Sequence, residues 1–240
     1  MKRSVLRFRI ELRDIAPAIW REIEVPGGYS FWDLHVAIQD AMGWLDYHLH
    51  AFVPTDGKAN GGNWEIGIPD ADEQFASREM LAGWLVPVAE HFQYAGDRMI
   101  YLYDFGDGWT HDVLLEEIVA CDSTKRAACT GGARACPPED CGGPFGYQTM
   151  LEALADPAHE QHTDMRNWTA GAFDPENFHP EQVKFDDPKA RWNRAFSQSG
   201  GSRLSAHCTN RIARKRRTAR YHLLRSFLRL RPCIRCEDQQ

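Results

Sequence analysis

The sequence predicts an α+β fold: a mostly antiparallel sheet with helices packed on it, plus a Cys/Gly/Pro-rich loop and a helical C-terminal part. Three observations predict it. Apolar and polar residues alternate with period two in six separate segments before residue 121. Helical spacing interrupts them at residues 30–43, and from 121 to 147 glycine, proline and cysteine replace any period. Strands interrupted by a helix, then helices, read as α+β.

The elements follow in order. In "VLRFRIELRDI" residues Val5, Leu6, Phe8, Ile10 and Leu12 mark one face with arginines opposite, a half-buried strand. "AIWREIEVP" repeats the pattern through Ile19, Arg21, Ile23 and Val25, and "GGYS" breaks it. Ser30 can N-cap "FWDLHVAIQDAMGW", where Leu34, Ala37, Ile38 and Ala41 share a helical face and Gly43 supplies a stop. "HLHAFVP" and "NWEIGIP" return to the strand period, and "LVPVAEHFQYAGD" reads as a turn or short helix. "RMIYLYDF" and "WTHDVLLEEIVA" follow as strands joined by "GDG", because Gly-Asp and Asp-Gly accept positive φ. Beyond the loop, "YQTMLEALAD" and "EQHTDMRNWTAG" read as helices, and Pro175 and Pro180 frame an extended segment. "SQSGGS" from Ser197 has the composition of a flexible linker, and 203–236 suits a basic helix with an apolar side. Two parts result: an α+β domain over 4–196 and a basic extension over 197–240.

Charge separates the same two parts. The net charge is -6, yet residues 188–240 hold 14 Lys/Arg against Glu237 and Asp238, a net of +12. The other residues hold 14 bases against 32 acids, a net of -18, so nucleic acid would not lie across the body. Arg211, Arg214, Lys215, Arg216, Arg217 and Arg220 are the residues that would touch phosphate. No apolar run is long enough to span a bilayer, and charges fill the N-terminus where a signal peptide needs apolar residues. A cytoplasmic protein with no membrane partner is expected.

Two sets of residues carry metal chemistry. His48 and His50 lie two apart on an expected strand, so they face the same side roughly 7 Å apart. With His111 and a carboxylate from Asp104 or Asp107 they make a His/Asp cluster able to hold a divalent metal such as zinc. The competing reading gives a strand-end His48 and a hydrogen-bonded, partly buried His50. Six of the seven cysteines fall in two clusters: Cys121, Cys129, Cys136 and Cys141, then Cys233 and Cys236. Cys129, Cys136 and Cys141 are separated by six and four residues, unlike the tight knuckle of a zinc ribbon, so a structural zinc there competes with plain buried thiols. Cys121, His159 or His162 would be a fourth ligand only through folding.

The segments "IAPAIWREIEVPGGYSFWDLHVAIQDAMGWLDYHLHAF", "YLYDFGDGWTHDVLLE", "CTGGARACPPEDCGGPFGY" and "FDPENFHPEQVKFDDPKARWNRAF" resemble the Ri-plasmid open-reading-frame-three-like family. The resemblance spans about residues 4–196. Some members carry a TnpR-type label as insertion-element passengers, which implies a recombinase. Ser4, at the head of a strand between Arg3 and Arg7, lacks the surroundings of a resolvase nucleophile. The family implies an α+β domain without an established catalytic role.

Three functions follow as expectations. The first is a non-catalytic binding module linked to mobile DNA, with the basic extension on phosphate. The second is a metal-dependent hydrolase or nuclease using the His/Asp cluster. The third is a module for a protein partner, whose groove would be lined by Trp20, Trp32, Trp44, Trp64, Trp84 and Trp109.

Overall fold

The computed structural model describes residues 3–55, 63–69, 78–121 and 126–196. The expected basic helix, its nucleic-acid-binding residues and Cys208, Cys233 and Cys236 lie outside these. The chain divides into two units, Met1–Asn193 and Arg194–Gln240; of the second, 194–196 are described, the last residues of a helix.

Eight strands form one sheet. In chain order they are β1 (Arg3–Leu12), β2 (Trp20–Pro26), β3 (His50–Pro54), β4 (Trp64–Gly67), β5 (Glu79–Ala82), β6 (Arg98–Tyr103), β7 (Trp109–Cys121) and β8 (Ala128–Ala133). Their order across the sheet is β5-β4-β3-β6-β7-β1-β2-β8. Every pairing is antiparallel except β4 with β5. Among the described residues the α-helices are α1 (Phe31–Met42), α2 (Gly143–Ala155), α3 (His162–Trp168) and α4 (Pro188–Phe196). The fold is α+β, as the alternation predicts.

The strand period does what it implies in β1. Leu6, Phe8, Ile10 and Leu12 are buried, and Val5 with them. On the other side Arg7 reaches Glu24 on β2 at 2.8 Å and Glu117 on β7 at 2.6 Å, while Arg9 lies 4.1 Å over the Trp20 ring. Helix α1 packs its apolar residues into the core, where Phe31 meets Phe52 edge-on at 4.9 Å; in the same core Phe92, outside the helix, meets Phe8 of β1 at 4.8 Å. Each such fully buried ring contributes roughly 2–3 kcal/mol. Ser30 and Asp33 form a reciprocal capping box, and Gly43, at φ 93°, ends the helix with its N–H on the Gln39 carbonyl.

Four elements depart from the sequence reading. The loop after residue 121 contains β8, an edge strand on β2. It has no apolar period because its glycines face close neighbours: a Cβ on Gly132 would lie 2.3 Å from Phe178 and 2.8 Å from the Trp20 carbonyl. Strand β5 is short, four residues at the opposite edge with only Glu79 exposed, so alternation is too brief to register. Helix α2 starts at Gly143 rather than Tyr147, with Pro144 in its first turn. Helix α4 lies between the extended segment framed by Pro175 and Pro180 and the linker, where the sequence reading assigned no element; Arg191 holds it to Asp40 and, at 3.1 Å, to Asp186. No helix among the described residues is long and apolar enough to cross a membrane.

Candidate metal centre

Three segments converge at the end of the sheet where β6 turns into β7. They are residues 44–50, which run into the first residue of β3, the 104–108 turn, and 137–143, which run into the first residue of α2. The sheet register places the first two side by side, with His50 opposite Tyr103 and the Asp104 N–H on the Leu49 carbonyl at 3.0 Å. The third is tied to both: Trp44 Nε1 donates to the Pro137 carbonyl at 2.9 Å, and the Leu45 N–H donates to Glu139 Oε1 at 2.8 Å. Gly142 N–H donates to Asp107 Oδ2 at 3.0 Å.

The 104–108 turn is longer than "GDG" alone. Strand β6 ends at Tyr103, and Asp104 bends the chain at φ 52°. Its Oδ1 accepts the N–H groups of Gly106 and Asp107 at 3.0 and 3.3 Å, an Asx turn. The Gly108 N–H closes the turn on the Asp104 carbonyl at 2.7 Å. One oxygen of Asp104 is thus spent on the backbone, and Oδ2 faces His48.

Around His48 the side chains form a compact donor set. Its Nε2 lies 3.1 Å from Asp140 Oδ1, 3.6 Å from Asp104 Oδ2 and 3.9 Å from Glu139 Oε2. One ligand atom each from His48, Asp104 and Asp140 fall within 4.8 Å of one another, the spacing of donors around one ion. The 3.1 Å approach to Asp140 is out of alignment for a hydrogen bond: Nε2 is buried and bonds to nothing, and neither does Glu139 Oε2. Asp104 is 7% exposed. Buried polar atoms are normally hydrogen-bonded, so an unbonded imidazole nitrogen and an unbonded carboxylate oxygen 3.9 Å apart call for an explanation. A cation at that position would supply one. Glu139 stands outside the three-ligand set, held through Oε1 by Leu45 N–H and by the Tyr103 hydroxyl at 3.0 Å. Burial, with Glu139 alongside, pushes the Tyr103 phenol far up, so it stays a donor.

The other expected ligands lie elsewhere. His48 precedes β3, so it and His50 are not successive same-face residues of one strand. His50 is buried and stacks on His35 with centroids 3.5 Å apart and planes 8° from parallel. Burial, then the neighbouring His35, pushes its pKa well below the usual histidine range. His35 itself bridges the Tyr101 hydroxyl and Asp46, each at 2.8 Å, while Gln39 donates to the same hydroxyl at 2.9 Å. His111 is buried on β7 between Trp44 and Tyr101, each 5.3 Å away, with Nδ1 3.3 Å from the Tyr101 carbonyl. Burial lowers its pKa to about 3. Asp107 orients Gly142 instead of joining the donor set.

Cys129, Cys136 and Cys141 are free thiols, and no three ligand-type residues among those described gather around a cysteine. Burial raises all three, Cys141 to about 12, which keeps them protonated without a metal. His162 Nδ1 is engaged with the Ala153 carbonyl at 2.8 Å. Sequence reasoning missed Glu139 and Asp140. They sit in "CPPEDCGG", where the cysteines drew the reading. An acidic pair in a Gly/Pro loop was the available signal, and only the loop's docking against residue 44 gives it meaning.

The sequence profile of plasmid pRiA4b ORF-3-like proteins matches residues 4–182. The chain belongs to that family. It is 35% identical over 199 residues to the uncharacterized protein y4hQ of Sinorhizobium fredii (strain NBRC 101917 / NGR234), covering 81% of this chain and 97% of the relative. A solved structure, a protein of unknown function, MM3350 from Methanosarcina mazei Go1, superposes with a TM-score of 0.67 at 38% identity, over 77% of this chain and all of the other.

Proposed function

We propose that this family member is a divalent-metal-dependent hydrolase in which His48, Asp104 and Asp140 hold one cation. The observation that carries the reading is His48 Nε2, buried, unbonded and facing three carboxylates. One imidazole and two carboxylates suit Zn2+ or Mn2+ better than an all-oxygen ion site would. Three protein ligands on a four- to six-coordinate ion leave room for water and substrate, and the ion would act as Lewis acid and water activator.

Elemental mass spectrometry of the full chain, dialysed against Zn2+ or Mn2+, tests this. About one ion per chain is expected. His48→Ala and Asp104→Asn should each weaken binding by at least about tenfold with the fold intact by circular dichroism. A metal-free wild type, or variants that bind as well as it does, would sink the reading.

A second reading rests on charge. The +12 of residues 188–240, with Arg211, Arg214, Lys215, Arg216, Arg217 and Arg220, suits a basic extension on nucleic acid, in keeping with the plasmid origin of the family's name. There the protein is a non-catalytic binding module linked to mobile DNA, and loss of DNA affinity with rising salt is its signature.

A further inference from the structure

The surroundings of the donor set select a class of substrate. Residues 44–50, 104–108 and 137–146 contain no lysine or arginine. They carry five carboxylates: Asp46, Asp104, Asp107, Glu139 and Asp140. Asp46 turns inward to His35 at 2.8 Å and to Arg191 at 3.6 Å, which leaves four on the segments that would hold a single divalent ion, Asp104 and Asp140 as ligands and Asp107 and Glu139 outside the donor set. Phosphate-ester sites depend on Lys, Arg or additional cations to neutralise the transferred group. Here the charge balance around one ion stays negative, and a phosphodiester would be repelled.

The same three segments carry much of the exposed apolar surface. Five of the eight large hydrophobic side chains exposed among the described residues lie on them: Leu45, Tyr47, Leu49, Phe105 and Phe145. Tyr47 is 70% and Phe145 83% exposed. Hydrogen bonds tie the three segments that carry them together. Leu49 accepts the Asp104 N–H, Phe105 follows Asp104, and Tyr47 N–H donates to the Tyr103 hydroxyl at 3.1 Å. Exposed aromatics gathered beside a polar cluster mark a binding surface more often than a solvated loop.

We infer that the substrate is an uncharged carbonyl compound, an ester or peptide-like amide with an apolar acyl group. The carbonyl meets the cation, and the acyl group lies on Tyr47, Phe105 and Phe145. This rests on the metal reading above. In the reaction the oxygen of water bonds to the carbonyl carbon, and the bond from that carbon to the alkoxy oxygen or amide nitrogen breaks. The two protons of water finish on the carboxylic acid and on the departing alcohol or amine.

Three substrates with one chromophore test the inference: p-nitrophenyl hexanoate, p-nitrophenyl acetate and bis(p-nitrophenyl) phosphate, with the full-length, metal-loaded chain. Metal-dependent kcat/KM for the hexanoate should exceed that for the acetate by about tenfold or more, since only the longer chain reaches the apolar surface. The phosphodiester should not turn over above the chelated control. The triple variant Tyr47→Ser, Phe105→Ser, Phe145→Ser changes exposed side chains only, so it should keep its metal and melting temperature while losing the preference for hexanoate. Faster phosphodiester cleavage, no turnover by the loaded protein, or a preference that survives in the triple variant would overturn the inference while leaving the metal site standing. Failure to load metal would instead defeat the reading beneath it.

Discussion

Acid should destabilise this protein through His111, which is fully buried with Nε2 unbonded. The unfolded chain takes up a proton there near pH 6.5, whereas the folded chain resists until about pH 3. Between those values the unfolded state holds more protons, so stability falls as pH falls, starting near 6.5 and levelling off near 3. From pH 7.5 to pH 5 this one group removes about 2 kcal/mol. Buried His50, with its pKa also lowered, adds a loss of the same sign. Urea unfolding followed by tryptophan fluorescence, repeated across that range, measures the total. His111→Leu removes the titration and costs one hydrogen bond of 3.3 Å to the Tyr101 carbonyl. The variant should start less stable at pH 7.5 by about 1–2 kcal/mol and then lose about 2 kcal/mol less than wild type on the way to pH 5. Parallel pH profiles for the two proteins would refute the assignment.

Two more outcomes can be stated. Gly143 has φ 69°, and a Cβ there would lie 2.2 Å from the Asp107 carbonyl oxygen. Gly143→Ala should therefore cost about 2 kcal/mol or more and, by pushing Asp140 away from His48, weaken Zn2+ binding in calorimetry; unchanged melting and affinity would contradict the docking of that loop. If the basic extension neutralises about six phosphates, duplex affinity of the full chain should drop roughly a thousandfold from 50 to 200 mM salt, and an affinity indifferent to salt in a filter-binding or anisotropy assay would exclude that mode.

Family and fold class were legible in the chain because both rest on local pattern. Alternation in "VLRFRIEL" and "YLYDF", the Ser30 cap and the Gly43 stop encode β1, β6 and α1 through side-chain periodicity and backbone preference, which act over a few residues. Strand β8 was not legible. Its residues are chosen for close approach to Phe178 and Trp20, a requirement that arises only after residues 128–133 have joined the sheet.

The donor set divides in the same way. Asp104 and His48 attracted notice by themselves, since a polar residue beside a run of large apolar ones invites a question. His50 and His111 attracted the same notice, and tertiary packing sent both into the core, stacked on His35 and wedged against Trp44. Asp140 stands 92 positions from His48 and reaches within 3.1 Å of it only because Trp44, Leu45 and Asp107 each bind the loop that carries it. Sequence alone determined which residues have ligand chemistry and which elements carry them. The tertiary structure decided which of them meet, because donors on one ion must gather within a few ångströms and only long-range contacts set distances on that scale.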